Sequence, residues 1–188
     1  MLNELKQYAK AHQIPIITDD GLLFIKQLIS TYHIKHVLEI GTAIGYSAIS
    51  MTSFGVDVDT IERDLKMIEI AKKHINMSPY PQKVHLIEAD AKTYDGPLQH
   101  YDMIFIDAAK SQYQVFFEKY QHTLKDHGII LCDNLNFHHL DPQKVNRNTR
   151  QLLTKIERFK TFLKENVSFE TTFFDIGDGM SVSRKVCK

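Results

Sequence analysis

With 188 residues, the chain is long enough for one packed domain that buries roughly two-thirds of its unfolded surface. Lys plus Arg and Asp plus Glu each total 23, so the formal net charge is zero; this excludes a chain-wide basic footprint for nucleic acid but leaves room for a local patch. No apolar run approaches the ~18 residues of a membrane span, the first ten residues lack a signal-peptide core, and Cys132 and Cys187 form no CxxC pair, so a cytoplasmic protein with no membrane attachment is expected.

Short runs rich in β-branched and aromatic residues alternate with helical patterns along the chain, which is the mark of βαβ units. Predicted strands cover residues 36–40, 58–62, 84–89, 101–107 and 128–133, and right-handed crossovers make these five parallel. Apolar residues at i, i+3 and i+4 predict helices over 64–76 (Leu65, Ile68, Ile70, Ala71) and over 112–124 (Val115, Phe116, Tyr120). Further on, Thr149 is expected to cap a long helix with the apolar stripe Leu152, Leu153, Ile156, Phe159, Phe162, Leu163. Two last strands, 169–174 and 180–185, flank Asp175-Ile-Gly-Asp-Gly179, a link short enough for an antiparallel hairpin. The expectation is a single α/β domain over 1–188, Rossmann-like, with a seven-stranded mostly parallel sheet, a C-terminal antiparallel hairpin and helices on both faces.

Chemistry is expected where these strands end. The first runs into Gly41-Thr-Ala-Ile-Gly45-Tyr46-Ser47, and about twenty residues later the second ends in Glu62. Glycines there let backbone N–H groups approach a ligand, and a carboxylate at the second strand end can accept both hydroxyls of a ribose, so a nucleoside ligand is expected. A dinucleotide turn would need Gly-x-Gly-x-x-Gly, and its absence argues against NAD. Asp90, past the third strand, can accept from an adenine amino group, or can be a solvated strand-end carboxylate. Asp107, Asp133 and Asn134 follow near-continuous apolar runs, at the carboxyl edge where ligands of parallel sheets sit. Oxygen-only donors on strands ~4.8 Å apart suit a hard cation such as Mg²⁺. Capping of the helices that follow is the plain structural alternative.

The segments Val37-Leu-Glu-Ile-Gly-Thr-Ala-Ile-Gly-Tyr-Ser47, Thr60-Ile-Glu-Arg63, Glu88-Ala-Asp-Ala91, Phe105-Ile-Asp-Ala-Ala-Lys-Ser-Gln-Tyr113, Asp133-Asn-Leu135 and Ile176-Gly-Asp-Gly-Met180 resemble, in order, the motifs of the cation-dependent O-methyltransferases. That family uses S-adenosylmethionine and includes the catechol and caffeoyl-CoA enzymes. Within it, Ile14-Pro-Ile-Ile-Thr18, the short length and residues 146–150 look most like the bacterial tRNA methyltransferases that act on 5-hydroxyuridine at the wobble position. The resemblance implies that Gly41, Thr42, Gly45, Tyr46 and Ser47 line the methionine and ribose portion of S-adenosylmethionine, with Ile17 and Asp107 at its edge. Glu62, with Arg63 beside it, would hold the ribose hydroxyls, and Asp90 and Ala91 would contact adenine. Asp107, Asp133 and Asn134 would ligate Mg²⁺ (or Mn²⁺ or Ca²⁺), and Lys110, acting with Asp107, would be the catalytic lysine. A cation there disfavours the ammonium form of a neighbouring lysine and favours ionisation of a chelated hydroxyl. A homodimer is expected, although the chain starts closer to its first motif than the many relatives that use an N-terminal helical segment for dimer contacts or as a lid.

For the acceptor, residues 141–165 carry seven basic side chains (Lys144, Arg147, Arg150, Lys155, Arg158, Lys160, Lys164) against three acidic ones (Asp141, Glu157, Glu165). Such a cluster can bind RNA phosphates, or can be the solvated face of an amphipathic helix. Arg147, Arg150 and His138 are the substrate-side candidates, with His139 nearby; the family commonly has a glycine near Leu140, which this chain lacks. The leading expectation is tRNA as the partner, with 5-hydroxyuridine methylated to 5-methoxyuridine. The alternatives are a small catechol-like or hydroxycinnamoyl acceptor, and a nucleotide-binding module without catalysis.

Overall fold

The computed structural model describes residues 1–136 and 145–186. In chain order the elements are α1 (Leu2–Ala11), α2 (Asp19–Thr31), β1 (His36–Ile40), α3 (Tyr46–Thr52), β2 (Asp57–Glu62), α4 (Leu65–Asn76), β3 (Val84–Glu88), β4 (Tyr101–Ile106), α5 (Tyr113–Tyr120), β5 (Leu124–Cys132), α6 (Arg147–Glu165), β6 (Phe169–Phe174) and β7 (Met180–Lys185). The seven strands form one sheet in the order β3-β2-β1-β4-β5-β7-β6. β1 to β5 run parallel, and β7 is antiparallel to both β5 and β6.

Alternation along each strand divides the core in two. Val37, Val58, Met103, Phe105, Ile129 and Leu131 face α1, α2 and α3 on one side. Leu38, Ile61, Ile104, Ile106 and Ile130 face α5 and α6 on the other. This near-continuous apolar character is what a parallel strand covered on both faces requires. On the second face an aromatic cluster joins the layers: the Phe117 ring lies edge-on to Phe159, Phe162 and Phe169, with centroids 6.2, 5.5 and 5.0 Å away.

Several boundaries differ from the sequence-based expectation, each for a local reason. Asn146, not Thr149, caps α6: its side-chain oxygen accepts from the Thr149 backbone N–H at 2.9 Å, which leaves Thr149 inside the first turn. β5 starts at Leu124 rather than 128, because the polar run Lys125-Asp126-His127 belongs to a strand whose register against β4 shifts between Tyr101 and Met103. α5 is shorter than 112–124, being bounded by single 3₁₀ turns at Lys110–Gln112 and Gln121–Thr123. α1 was not foreseen; it buries Leu5 and Ala9 against the first face.

The topology places the site. β1 pairs with β2 on one side and β4 on the other, so the chain leaves this pair in opposite directions and a crevice opens beyond their carboxyl ends. In register Ile40 stands beside Ile106, and Ile106 beside Cys132. The ladder continues one step: the Asp107 N–H donates to Ile40 O at 3.0 Å and the Asp133 N–H to Ile106 O at 3.3 Å. Gly41, Asp107 and Asp133 therefore start their loops side by side.

Because Phe117 is fully buried among aromatic rings of α6 and β6, Phe117→Ala is expected to cost about 3–5 kcal/mol. Equilibrium chemical denaturation measures it; a loss below about 1 kcal/mol would mean that α6 is not held through this cluster.

Candidate active site

Two adjoining cavities occupy the crevice. One, of about 250 Å³, is bounded by Pro15–Ile17, the loop after β1, Asp107, Lys110, Asp133, Asn134 and Asp178. The other, of about 440 Å³, lies between that loop and Glu62, Arg63, Asp90, Ala91 and Ala108. Gly41, Ala43, Asp107 and Ala108 are common to both.

Gly41 carries φ +102°, and a Cβ at that position would stand 2.2 Å from the Asp107 carbonyl oxygen. Only glycine lets the β1 and β4 strand ends come this close. Gly45, at φ +84°, caps α3 in the left-handed conformation and turns the chain into Tyr46 and Ser47, both buried. Glu62 knits the second cavity together. One carboxylate oxygen accepts from the Ala43 N–H and the other from the N–H groups of Arg63 and Asp64, all at 2.9 Å. Its unused lone pairs face a nucleoside-sized space. Arg63 Nη1 donates to Asp90 at 3.0 Å; the Lys92 N–H and then Arg63 hold the Asp90 carboxyl below its ordinary range.

The first cavity contains the oxygen donors. Burial raises the Asp107 carboxyl to about 6, against the pull of the Lys110 charge. Asp133 is raised to about 7, by burial first and by the nearby Asp107 charge second. Asn134, at φ +62°, donates its side-chain Nδ2 to Asp107 at 3.1 Å and its backbone N–H to Asp133 at 2.6 Å. Among the described residues no three His, Cys, Asp or Glu converge, so the donor set is two carboxylates and an amide. Those residues fit a hard divalent cation: two buried carboxylates disfavour ionisation without a cation, and rotating the Asn134 amide exchanges its nitrogen for an oxygen. Lys110 opens the 3₁₀ turn after β4 and lines this same cavity.

The predicted residues divide accordingly. Ile17, Gly41, Thr42, Tyr46, Ser47, Asp107, Lys110, Asp133 and Asn134 border the first cavity, and Glu62, Arg63, Asp90 and Ala91 the second. Gly45, Arg147 and Arg150 line neither: Gly45 caps α3, and the two arginines sit exposed on the first turn of α6, which packs against the Lys110 turn. His138, His139, Leu140, Asp141, Lys144 and Cys187 lie outside the described residues.

Two residues escaped the sequence reading. Asp178, at the hairpin turn, lines the first cavity and adds negative potential to Asp107 and Asp133. Glu39 is fully buried inside β1: Thr60 donates its hydroxyl to Glu39 Oε2 at 2.5 Å, Thr42 and Thr60 share a hydroxyl contact of 2.6 Å, and Oε1 has no hydrogen-bond partner among the described residues. Burial pushes the Glu39 carboxyl up to about 8, with the Ser47 and Thr60 hydroxyls opposing. A carboxylate in an otherwise apolar strand, two residues before the glycine turn, was the available signal.

The family model for O-methyltransferases matches residues 1–186. The chain belongs to the O-methyltransferase family. Like its relatives it is an S-adenosylmethionine-dependent O-methyltransferase. A caffeoyl-CoA O-methyltransferase of Populus kitakamiensis is 26% identical across 97% of this chain and 83% of its own. A Staphylococcus aureus protein, whose crystal structure carries a provisional assignment as a caffeoyl-CoA O-methyltransferase, is 37% identical, with a TM-score of 0.93 over 98% of this chain and 92% of that one. An O-methyltransferase from Bacillus cereus solved with SAH shares the fold at 22% identity, TM-score 0.83, covering 98% and 90%.

Gly41→Ala should weaken SAH binding by tenfold or more in calorimetry and lower thermal stability, because both the positive φ and the contact with Asp107 oppose a side chain. Gly55→Ala, with φ +96° and open space around it, serves as the reference: a stability loss of about 1 kcal/mol with unchanged SAH binding. For Glu39 the raised folded-state value means that the folded protein holds a proton which the unfolded chain releases above about 4.5. Its contribution is therefore fully present below that pH and is lost as pH rises through about 8. In the ligand-free protein, Glu39→Gln should gain thermal stability relative to wild type as pH goes from 5 to 9; parallel melting curves would contradict this.

Proposed function

We propose that the chain methylates one hydroxyl of a vicinal oxygen pair with the help of a divalent cation, and that the acceptor is 5-hydroxyuridine at the wobble position of tRNA, giving 5-methoxyuridine. The observation that carries the metal-dependent reading is the placement of Asp107 and Asp133 by adjacent rungs of one ladder, with Asn134 bonded to both. Asp107, Asp133 and Asn134 would hold Mg²⁺, Mn²⁺ or Ca²⁺. When bound, such an ion supplies a Lewis acid that favours loss of the acceptor's hydroxyl proton.

The protein's own part is positioning. Glu62, already fixed by three backbone N–H groups, accepts the ribose hydroxyls of the cofactor. The Gly41–Ser47 loop brackets the methionine portion, with Ile17 closing its edge and Asp90 and Ala91 beside the adenine. Lys110 Nζ, on the same wall as Asp107, receives the acceptor's proton. A methyl sulfonium is already activated, so holding oxygen, carbon and sulfur in line is the main demand, and such positioning can supply ~7–11 kcal/mol.

The tRNA acceptor is supported by the likeness of residues 14–18 and 146–150 to wobble-uridine methyltransferases and by Arg147 and Arg150 at the start of a helix packed on the Lys110 turn. A small catechol-like or hydroxycinnamoyl acceptor is the second reading, favoured by the caffeoyl-CoA names of the relatives. A homodimer in the cytoplasm is part of the first reading; among the described residues no helix is long and apolar enough to cross a membrane.

Purified protein incubated with labelled S-adenosylmethionine, bulk tRNA from cells lacking it, and catechols should put label on tRNA, with 5-methoxyuridine appearing in nucleoside analysis. Label on catechols alone would replace the acceptor. Asp133→Ala should lower turnover by ~10³-fold or more while retaining SAH binding. Turnover by that variant, or by wild type in excess chelator, would remove the cation from the mechanism.

A further inference from the structure

The outer face of α6 carries an excess of basic side chains. Six basic and two acidic side chains fall within residues 147–165, whereas the rest of the chain has 17 basic and 21 acidic. With Ile156, Phe159 and Leu163 turned to the core, the helical period puts Arg147, Arg150, Thr154 and Arg158 along one solvent-facing ridge, flanked by Lys155. From Arg147 to Arg158 this ridge runs about 16 Å at 1.5 Å per residue. Among the described residues Arg147, Lys155 and Arg158 are paired with no carboxylate. Glu157 is engaged at 3.0 Å by Lys160 from the flank, and Lys164 lies over the Phe173 ring at 5.6 Å. Glu165 closes the ridge at its far end.

Two features separate this face from an ordinary solvated helix surface. Its first turn contains no acidic residue and two arginines, so the charges there oppose the helix macrodipole, whereas α2 begins with Asp19 and Asp20, which complement it. Helix stability does not account for that placement. Beside the ridge, Leu153 and the half-buried Phe162 line a shallow groove of about 560 Å³ with Arg150 and Arg158; Glu157, paired with Lys160, and Glu165 line it too. Cationic side chains beside an exposed aromatic edge are the combination that tracks a nucleic-acid backbone and gives its bases an apolar surface.

We infer that the Arg147–Arg150–Arg158 ridge of α6, with Lys155, is the track for the RNA backbone flanking the acceptor nucleotide. This rests on the tRNA reading of the site and extends it to a surface outside both cavities. α6 packs against the Lys110 turn, so a strand whose acceptor base enters the first cavity can reach the ridge, where phosphates meet cations and bases meet Leu153 and Phe162.

The test uses the full-length Lys155→Glu/Arg158→Glu double variant, with Lys155→Gln/Arg158→Gln as the milder pair and thermal denaturation to confirm folding. Both substitutions lie on the exposed face of α6, and neither residue lines either cavity of the site. Expected results are a rise of about tenfold or more in KM for tRNA with kcat unchanged, a slope of log Kd against log salt reduced by about one to two, and the Gln pair falling between the Glu pair and wild type. Turnover of 5-hydroxyuridine nucleoside should be unaffected. If wild type methylates tRNA and the folded double variant matches it in KM and salt slope, the track is refuted while the acceptor assignment stands. If wild type neither binds nor methylates tRNA, both fall together. Loss of binding to anionic phospholipid vesicles without loss of tRNA binding would assign the ridge to a membrane surface and refute the inference.

Discussion

The site depends on a parallel ladder that continues one rung past the strand ends. Because the N–H groups of Asp107 and Asp133 donate to the carbonyls of Ile40 and Ile106, their side chains leave the sheet at adjacent points on one edge. A slip of one residue in β4 or β5 would turn that strand's apolar set toward the wrong layer and point its carboxylate away, so the core that holds Ile104, Ile106 and Ile130 also holds the donors in place. Gly41 belongs to the same constraint, since its missing side chain is what allows the β1 loop to lie against the Asp107 carbonyl.

Buried carboxylates surround this edge, and the protein treats them differently. Glu62 has both oxygens engaged by backbone N–H groups, which substitutes for water at little reorganisation. Asp107 and Asp133 are raised by burial against the Lys110 charge and the hydrogen bonds from Asn134, which leaves them receptive to an added cation. Glu39 is neutralised differently, by retaining its proton behind two threonines. These four carboxyl groups therefore tolerate low dielectric by three separate means: backbone donors at Glu62, a retained proton at Glu39, and at Asp107 and Asp133 an arrangement that the proposed cation would complete.

Much of this was legible from the residues. Apolar runs bounded by Gly, Asp or Glu located all seven strands, and the turn Gly41–Gly45, Glu62 and the Asp107/Asp133–Asn134 set were readable because loops at strand ends carry few competing structural demands. The start of β5 was hidden, since Lys125, Asp126 and His127 interrupt the apolar pattern at a register shift. Asn146 outcompeted Thr149 as the cap because its amide oxygen, three residues ahead, reaches the Thr149 N–H. Glu39 and Asp178 were missed because their importance is tertiary: one becomes significant only when Thr42 and Thr60 surround it, the other only when the hairpin folds over the β5 end.

That hairpin is clasped to the site by two backbone bonds, Leu135 N–H to Gly179 O at 2.9 Å and Asn136 N–H to Asp178 O at 2.7 Å, and β7 lies between β5 and β6. The loop bearing Asp133 and Asn134 is thus held by the turn of the β6–β7 hairpin, more than forty residues further along the chain. A nascent chain can assemble the five parallel strands and the cofactor loop early, yet its donor loop has no clasp until residues 176–185 are available to thread beside β5. The loop is consequently fixed only once that hairpin has closed, and not by the parallel strands alone.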